Sequence, residues 1–314
     1  MIFRLATLLA IVATADASLA TEATGVAQAP VAEVLVTAPE PKYVAPTLRD
    51  RIGRIWAPVY INGQGPLRLV LDTGATTSAI TDDAANLLAL DPDRSRTVLL
   101  RGTTGATRVP VVKARQMEIG DFLAENQRLV VVDDAFGGAD GVLATRALRD
   151  RRIHVEFRKD RIEITRSKGQ PAPAGFSTIP IRLASGHVPW VDAWVGPVKV
   201  KAVIDTGAQQ TLGNVALRAA LAASRRRGLD PRNEGVIGVT GDVQEGVNLA
   251  VPGIRLGSVT VRNARINFLD LHIFEHWRML DEPALLIGMD VIGVLDTFIL
   301  DYRRRELQVR TRAD

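Results

Sequence analysis

The sequence predicts an all-β protein of two similar domains related by a pseudo-twofold axis, and three observations lead there. First, the chain repeats itself. Leu69-Val70-Leu71-Asp72-Thr73-Gly74-Ala75 matches Ala202-Val203-Ile204-Asp205-Thr206-Gly207-Ala208. Further matches follow in the same order: Gly102 to Gly105 with Gly238 to Gly241, Ile119-Gly120 with Leu256-Gly257, Val132-Asp133 with Leu269-Asp270, and Val155 to Arg158 with Leu300 to Arg303. The offset never shrinks along the chain, the mark of a duplication that has taken up small insertions. Second, the apolar runs are short, β-branched and bounded by Gly, Pro, Asn or Asp. Third, helical patterns are few and brief.

Taken in order, Arg4, the apolar stretch Leu5 to Ala15 and the small residues after it read as a secretory signal spanning residues 1–20, with cleavage expected after Ala17 or Ala20. The apolar stretch is well short of the roughly 20 residues a membrane span needs, so no stable span is expected after cleavage. A chain without cysteine fits an exported protein whose two cores fold without disulfides, and a periplasmic or secreted location is expected. Residues 21–50, broken by Pro30, Pro39, Pro41 and Pro46, read as a flexible leader in which Val34 to Thr37 alone has the composition of a strand.

Residues 51–167 form the first predicted domain. Strands are expected at Trp56 to Ile61, Leu67 to Leu71, Val98 to Arg101, Val109 to Val112, Arg128 to Val132 and Ile153 to Phe157. Short helices are expected at Thr81 to Leu90, with Thr81 as its cap, and at Thr145 to Asp150. Residues 168–175, with Pro171 and Pro173, read as a linker to a second domain at residues 176–312. The balance of 39 Lys and Arg against 35 Asp and Glu, net +4, is too small and too dispersed for a nucleic-acid partner.

The two Asp-Thr-Gly-Ala segments carry the chemistry. Each follows an apolar run, so each reads as a strand ending in a tight turn where Gly74 or Gly207 permits a close approach that a Cβ would block. Two such turns facing each other across a pseudo-twofold axis bring Asp72 and Asp205 together. At about 3 Å and an effective dielectric near 20, two ionised carboxylates repel by on the order of 5 kcal/mol, or roughly three to four pKa units. The pair therefore shares one proton. Its ionised member suits taking a proton from a water that attacks a peptide carbonyl, and its protonated member suits donating to the carbonyl oxygen. Because the two titrate together, the base is not assigned to either.

On these residues both halves resemble the retropepsin-like aspartic proteases. From about Arg51 to Arg310 the chain is similar to a bacterial single-chain form carrying two such domains in tandem. The most specific stretch runs from Leu69 to Ile80; Leu285 to Asp290 is similar to the family's second signature, an apolar pair and Gly before a short helix. The resemblance implies an active site at the domain interface, with Asp72 and Asp205 catalytic and with Thr73, Gly74, Thr206 and Gly207 supporting them. It implies flaps at Gly102, Thr103, Thr104 and Gly105 and at Gly238, Val239, Thr240 and Gly241, which a Gly-rich tip between β-branched strands suits. It further implies an extended polypeptide substrate, no metal or other cofactor, and a monomer sufficient for catalysis.

Three departures mark the halves apart. Ala144 stands where the second half has Gly288, Gln209 and Gln210 stand where the first half has Thr76 and Thr77, and residues 271–283 are an insertion of the second half. That insertion contains His272-Ile273-Phe274-Glu275-His276, which fits a zinc-peptidase pattern but has no third ligand in a recognisable context; the alternative is an aromatic-rich surface helix. A second alternative is a catalytically silent module of the same fold that only binds polypeptides. Finally, Ala75 and Ala208 place methyl groups where a hydroxyl would stabilise the ionised carboxylate, which predicts a mildly acidic to near-neutral optimum.

Overall fold

A computed structural model describes residues 12–13, 35–37, 55–119, 122–133, 138–159, 161–184, 188–224, 231–237 and 243–312. Its strands form three sheets, one for each half and one shared between them.

In the first half, Trp56–Ile61 pairs antiparallel with Gln64–Asp72, which then runs parallel to Gly141–Ala144. Ala79–Thr81 lies between Gly141–Ala144 and Phe122–Val132. The long strand Ala106–Ile119 pairs with Trp56–Ile61, Asp93–Arg101 and Phe122–Val132, which curls the sheet towards a barrel. Gln64–Asp72 is solvated at its start and buried on both faces from Leu69 onward, because its last turn enters the space between the halves. A strand covered on both faces reads as a continuous apolar run, which is why Leu69-Val70-Leu71 does not alternate. The second half repeats the plan. Val188–Val195 pairs with Val198–Ile204, which runs parallel to Ala284–Ile287. Leu212–Gly213 lies between Ala284–Ile287 and Arg265–Phe268, and the hairpin of Pro231–Ile237 and Val243–Ala250 flanks them.

The third sheet joins the halves. Arg151–Glu156 pairs antiparallel with Thr297–Asp301, with Ile153 opposite Leu300. Arg161–Arg166 and Glu306–Arg310 flank this pair. On the outer edges lie Ser177–Pro180, against Glu306–Arg310, and the strand-like stretch of the leader, Leu35–Thr37, against Arg161–Arg166. Within the central pair Arg152 reaches across to Asp301 at 3.0 Å and to Gln308 Oε1 at 2.9 Å. Asp301 also accepts from the Ser167 hydroxyl at 2.8 Å and the Arg304 amide at 3.0 Å. Arg152 and Asp301 are both buried, so this is an interior ion pair with its oxygens satisfied from both halves.

Asp82–Leu87 is helical, and Thr81 Oγ1 accepts from the Ala84 amide at 3.1 Å as its cap. Thr145–Leu148 is a single 3-10 turn. Val215–Ser224 is a helix that the strand-centred reading omits; Asn214 Oδ1 caps it from the Leu217 amide at 2.9 Å, and Leu217 and Leu221, one turn apart, face the core. The insertion helix His272–His276 has Glu275 exposed on one side and an apolar face packed inward on the other. Ile273 and Phe274 are fully buried, and Trp277 lies edge-on to Trp190 and Phe274, with ring centroids at 5.6 and 6.5 Å. The insertion is a wall of the second half's core. No helix among the described residues is long and apolar enough to cross a membrane.

Candidate active site

Asp72 ends one inner strand and Asp205 follows the other, Val198–Ile204. The turns after them meet at the axis. The Gly74 and Ala75 amides donate to Asp72 Oδ1 at 2.8 and 2.9 Å, and the Gly207 and Ala208 amides donate to Asp205 Oδ1 at 2.9 and 3.2 Å. The threonines cross the interface. The Thr73 amide donates to Thr206 Oγ1 at 3.1 Å and the Thr206 amide donates to Thr73 Oγ1 at 3.0 Å. Each hydroxyl then donates to a strand carbonyl of the opposite half, Ile204 O at 2.6 Å and Leu71 O at 2.7 Å. Four reciprocal bonds thus fix the two turns to one another.

The glycines permit this approach. A Cβ on Gly74 would lie 2.5 Å from Asp205 Oδ2, and one on Gly207 would overlap the Asp72 carboxylate. Each glycine therefore lies against the other half's carboxylate, which places the two acids side by side. Both are at 0 % exposure, and their Oδ2 atoms have no donor from the rest of the protein. Burial raises both carboxyls above the ordinary aspartate range, and at Asp72 the Asp205 charge raises it further, against the lowering effect of the turn amides. Both shifts favour the protonated form of the buried carboxyls.

Behind the turns the halves differ as the repeat indicates. Register places Ala144 beside Asp72 and, one residue beyond the pair of Ile204 and Ile287, Gly288 beside Asp205. Ser78 Oγ accepts from the Ala144 amide at 3.0 Å, and Thr211 Oγ1 accepts from the Gly288 amide at 3.1 Å. A Cβ on Gly288 would meet the Gln210 carbonyl oxygen at 2.5 Å. Gly288→Ala is therefore expected to lower stability by roughly 1–3 kcal/mol through overpacking, read by urea denaturation, and Ala144→Gly, at a buried position, by about 1–2 kcal/mol through chain entropy and one missing methyl group. A Gly288→Ala variant as stable as the wild type would refute the clash.

Asp290 is the residue the motif reading passes over. Its carboxylate accepts from the Thr211 amide at 3.0 Å and hydroxyl at 2.7 Å, while its own amide donates to Gln209 O at 3.2 Å. It clamps the loop that follows Asp205, and Arg146 occupies the matching place in the first half. The repeat alignment sets it against an arginine and so gives no hint of the Thr211 contact.

Gly102 to Gly105 form the turn between Asp93–Arg101 and Ala106–Ile119, closed by the Gly102 amide on Gly105 O at 2.7 Å. Gly102, Thr103 and Thr104 are buried. The matching tip, Gly238, Val239, Thr240 and Gly241, lies outside the described residues, although its two strands are paired. His272 Nδ1 faces Glu275 at 3.6 Å, and among the described residues no cluster of three His, Asp or Glu side chains is placed to hold a metal.

A family model described as aspartyl protease matches residues 57–147 and again residues 191–291, one match around each Asp-Thr-Gly turn. No individual curated protein matches the chain. The duplicated match covers more than half of the sequence and coincides with the two halves that meet at Asp72 and Asp205, so the chain belongs to the aspartyl protease family, with two retropepsin-like domains in tandem.

Proposed function

We propose that the protein is an aspartic endopeptidase that hydrolyses extended polypeptides with a water activated by Asp72 and Asp205. The observation that carries this reading is the pair of buried Oδ2 atoms, side by side and without other donors, while each Oδ1 is held by two turn amides. The fixed Oδ1 atoms orient the carboxyl planes. The Oδ2 atoms are left for water and for the carbonyl. One proton on the pair makes one acid a base towards water and the other a donor to the carbonyl oxygen, so the tetrahedral intermediate forms without a covalent enzyme adduct. The same proton inventory returns when the leaving amine is protonated. No cofactor enters the cycle, and a single chain supplies both acids. The substrate of this reading is a peptide bound in strand conformation. The leading apolar stretch supports export to the periplasm or beyond.

The test is cleavage of a peptide library by the protein starting ahead of Leu35, with and without a statine-containing peptide inhibitor. Hydrolysis blocked by the inhibitor is expected. Raised dyad pKa values shift the window of the singly protonated pair upward, so the rate should peak in mildly acidic to near-neutral solution. A maximum near pH 2, or activity lost to a chelator instead of the inhibitor, would overturn the proposal.

A further inference from the structure

On the inner face of the shared sheet two arginines oppose each other. Arg151 and Arg166 are direct cross-strand partners at one end of the ladder between Arg151–Glu156 and Arg161–Arg166. The next residues along that face, Ile153 and Ile164, are fully buried, so the arginines stand at the rim where the core ends. Arg151 is half-buried, its guanidinium carbon lies 3.9 Å from the centroid of the Phe122 ring, and its Nε is enclosed without a partner. Like charges directly opposite one another cost stability. Burial, and then the Arg166 charge, lower the Arg151 pKa against the smaller pull of the Asp150 carboxylate. Among the described residues neither arginine has an ion-pair partner. The rest of the sheet is balanced: Arg152 pairs with Asp301, Arg161 with Glu163, Arg304 with Glu306 and Arg310 with Asp296. The repeat sets Asp296 in the place of Arg151, so the second half has a carboxylate where the first has a cation. More positive charge gathers at the same corner. Arg149 and Lys168 are exposed beside the pair in sequence, and Arg303 of the second half donates to Ser167 O at 3.2 Å.

We propose that Arg151 and Arg166 form a binding site for a phosphate group, on the sheet that holds neither Asp72 nor Asp205. The site goes beyond the peptidase reading and does not depend on it. Three features favour phosphate. Two guanidinium forks match the several oxygens of a tetrahedral oxyanion. A phosphate monoester carries nearly two negative charges at neutral pH and so answers both cations, whereas a carboxylate answers one. The Phe122 ring covers one side of the Arg151 guanidinium, which fixes the group without using its N–H donors. Arg166, exposed opposite it, completes the pair. A bound phosphate turns the repulsion between the two arginines into attraction to a common centre. A soluble phosphate monoester and the headgroup of phosphatidic acid share this chemistry.

Thermal unfolding of the protein starting ahead of Leu35 tests the site. Inorganic phosphate at about 10 mM should raise the wild-type Tm by about 2–4 °C over chloride of the same ionic strength, and acetate should not. The rise should vanish in Arg151→Gln and in Arg166→Gln. It should persist in Lys113→Gln, which removes an equal charge from an exposed position on the first half's sheet. In low salt without phosphate, Arg166→Gln should melt at or above the wild-type temperature, because it relieves the like-charge pair. Arg166 is exposed, so this variant decides the matter should Arg151→Gln fail to fold. No rise in the wild type, an equal rise in Arg166→Gln, or an equal rise with acetate overturns the proposal. So does an Arg166→Gln protein that melts well below wild type without phosphate, since the arginine then serves the fold and not a ligand. Sedimentation with phosphatidic acid vesicles separates the two sources once the rise is seen. Vesicle binding that Arg166→Gln abolishes assigns the phosphate to a lipid headgroup; a rise without vesicle binding assigns it to a soluble monoester. Both uphold the site.

Discussion

Asp72→Asn and Asp205→Asn are each expected to lower peptide hydrolysis by about 10³-fold or more, with thermal unfolding shifted little or upward. The reasoning starts from the hydrogen bonds. An asparagine Oδ1 still accepts the Gly74 and Ala75 amides, or the Gly207 and Ala208 amides, so the turn and the threonine cross-bonds keep their geometry. What changes is the proton inventory. An amide cannot accept a proton from water and then return it, and the remaining aspartate cannot be acid and base at once. Stability should not suffer, because burial already disfavours the charged form that the substitution removes. Since the two acids act as one unit, the double variant should lose hardly more than either single one. Steady-state kcat/KM of the three variants, with melting curves alongside, makes the check. A single variant that retains a tenth of wild-type activity would rule out the shared-proton mechanism.

The largest effect on stability is expected from Arg152→Ala. Arg152 and Asp301 are buried at the join of the two halves, and the guanidinium also donates to Gln308. Removing the arginine leaves the Asp301 carboxylate in the interior with only the Ser167 hydroxyl and the Arg304 amide as donors. Breaking one partner of a buried pair costs about 3–5 kcal/mol, most of it the stranded charge. A control separates that charge from the lost packing. Arg152→Met combined with Asp301→Leu removes both charges and keeps the volume, and should recover most of the loss. Urea unfolding of the single and double variants gives the numbers. If the double variant is as unstable as Arg152→Ala, packing and not the stranded charge is what the pair supplies.

Much of this was legible in the residues. The β fold shows in short β-branched runs, and both Asp-Thr-Gly turns show because a close approach admits only glycine at Gly74 and Gly207. The repeat offset pairs Ala144 with Gly288, and strand register does the same. What escaped notice has physical causes. The helix Val215–Ser224 is rich in alanine, with Leu217 and Leu221 supplying its fully buried contacts, so its amphipathic signal is faint. The role of Asp290 depends on Thr211, far away in sequence, and no spacing rule links them. The insertion's His-x-x-Glu-His spacing fits a metal pattern that lacks a third ligand, and Ile273 and Phe274 between those histidines are what the fold buries. Local pattern carries little information about contacts between halves.

The shared sheet has a consequence for when the two acids meet. Arg151–Glu156 finds its partner from the other half in Thr297–Asp301, which Glu306–Arg310 flanks. Such distant pairings form late, after the local hairpins of each half. A chain emerging from the ribosome thus carries Asp72 long before it carries the strands that hold Asp205 beside it. Until the second half has folded, Asp72 stands without the acid it packs against.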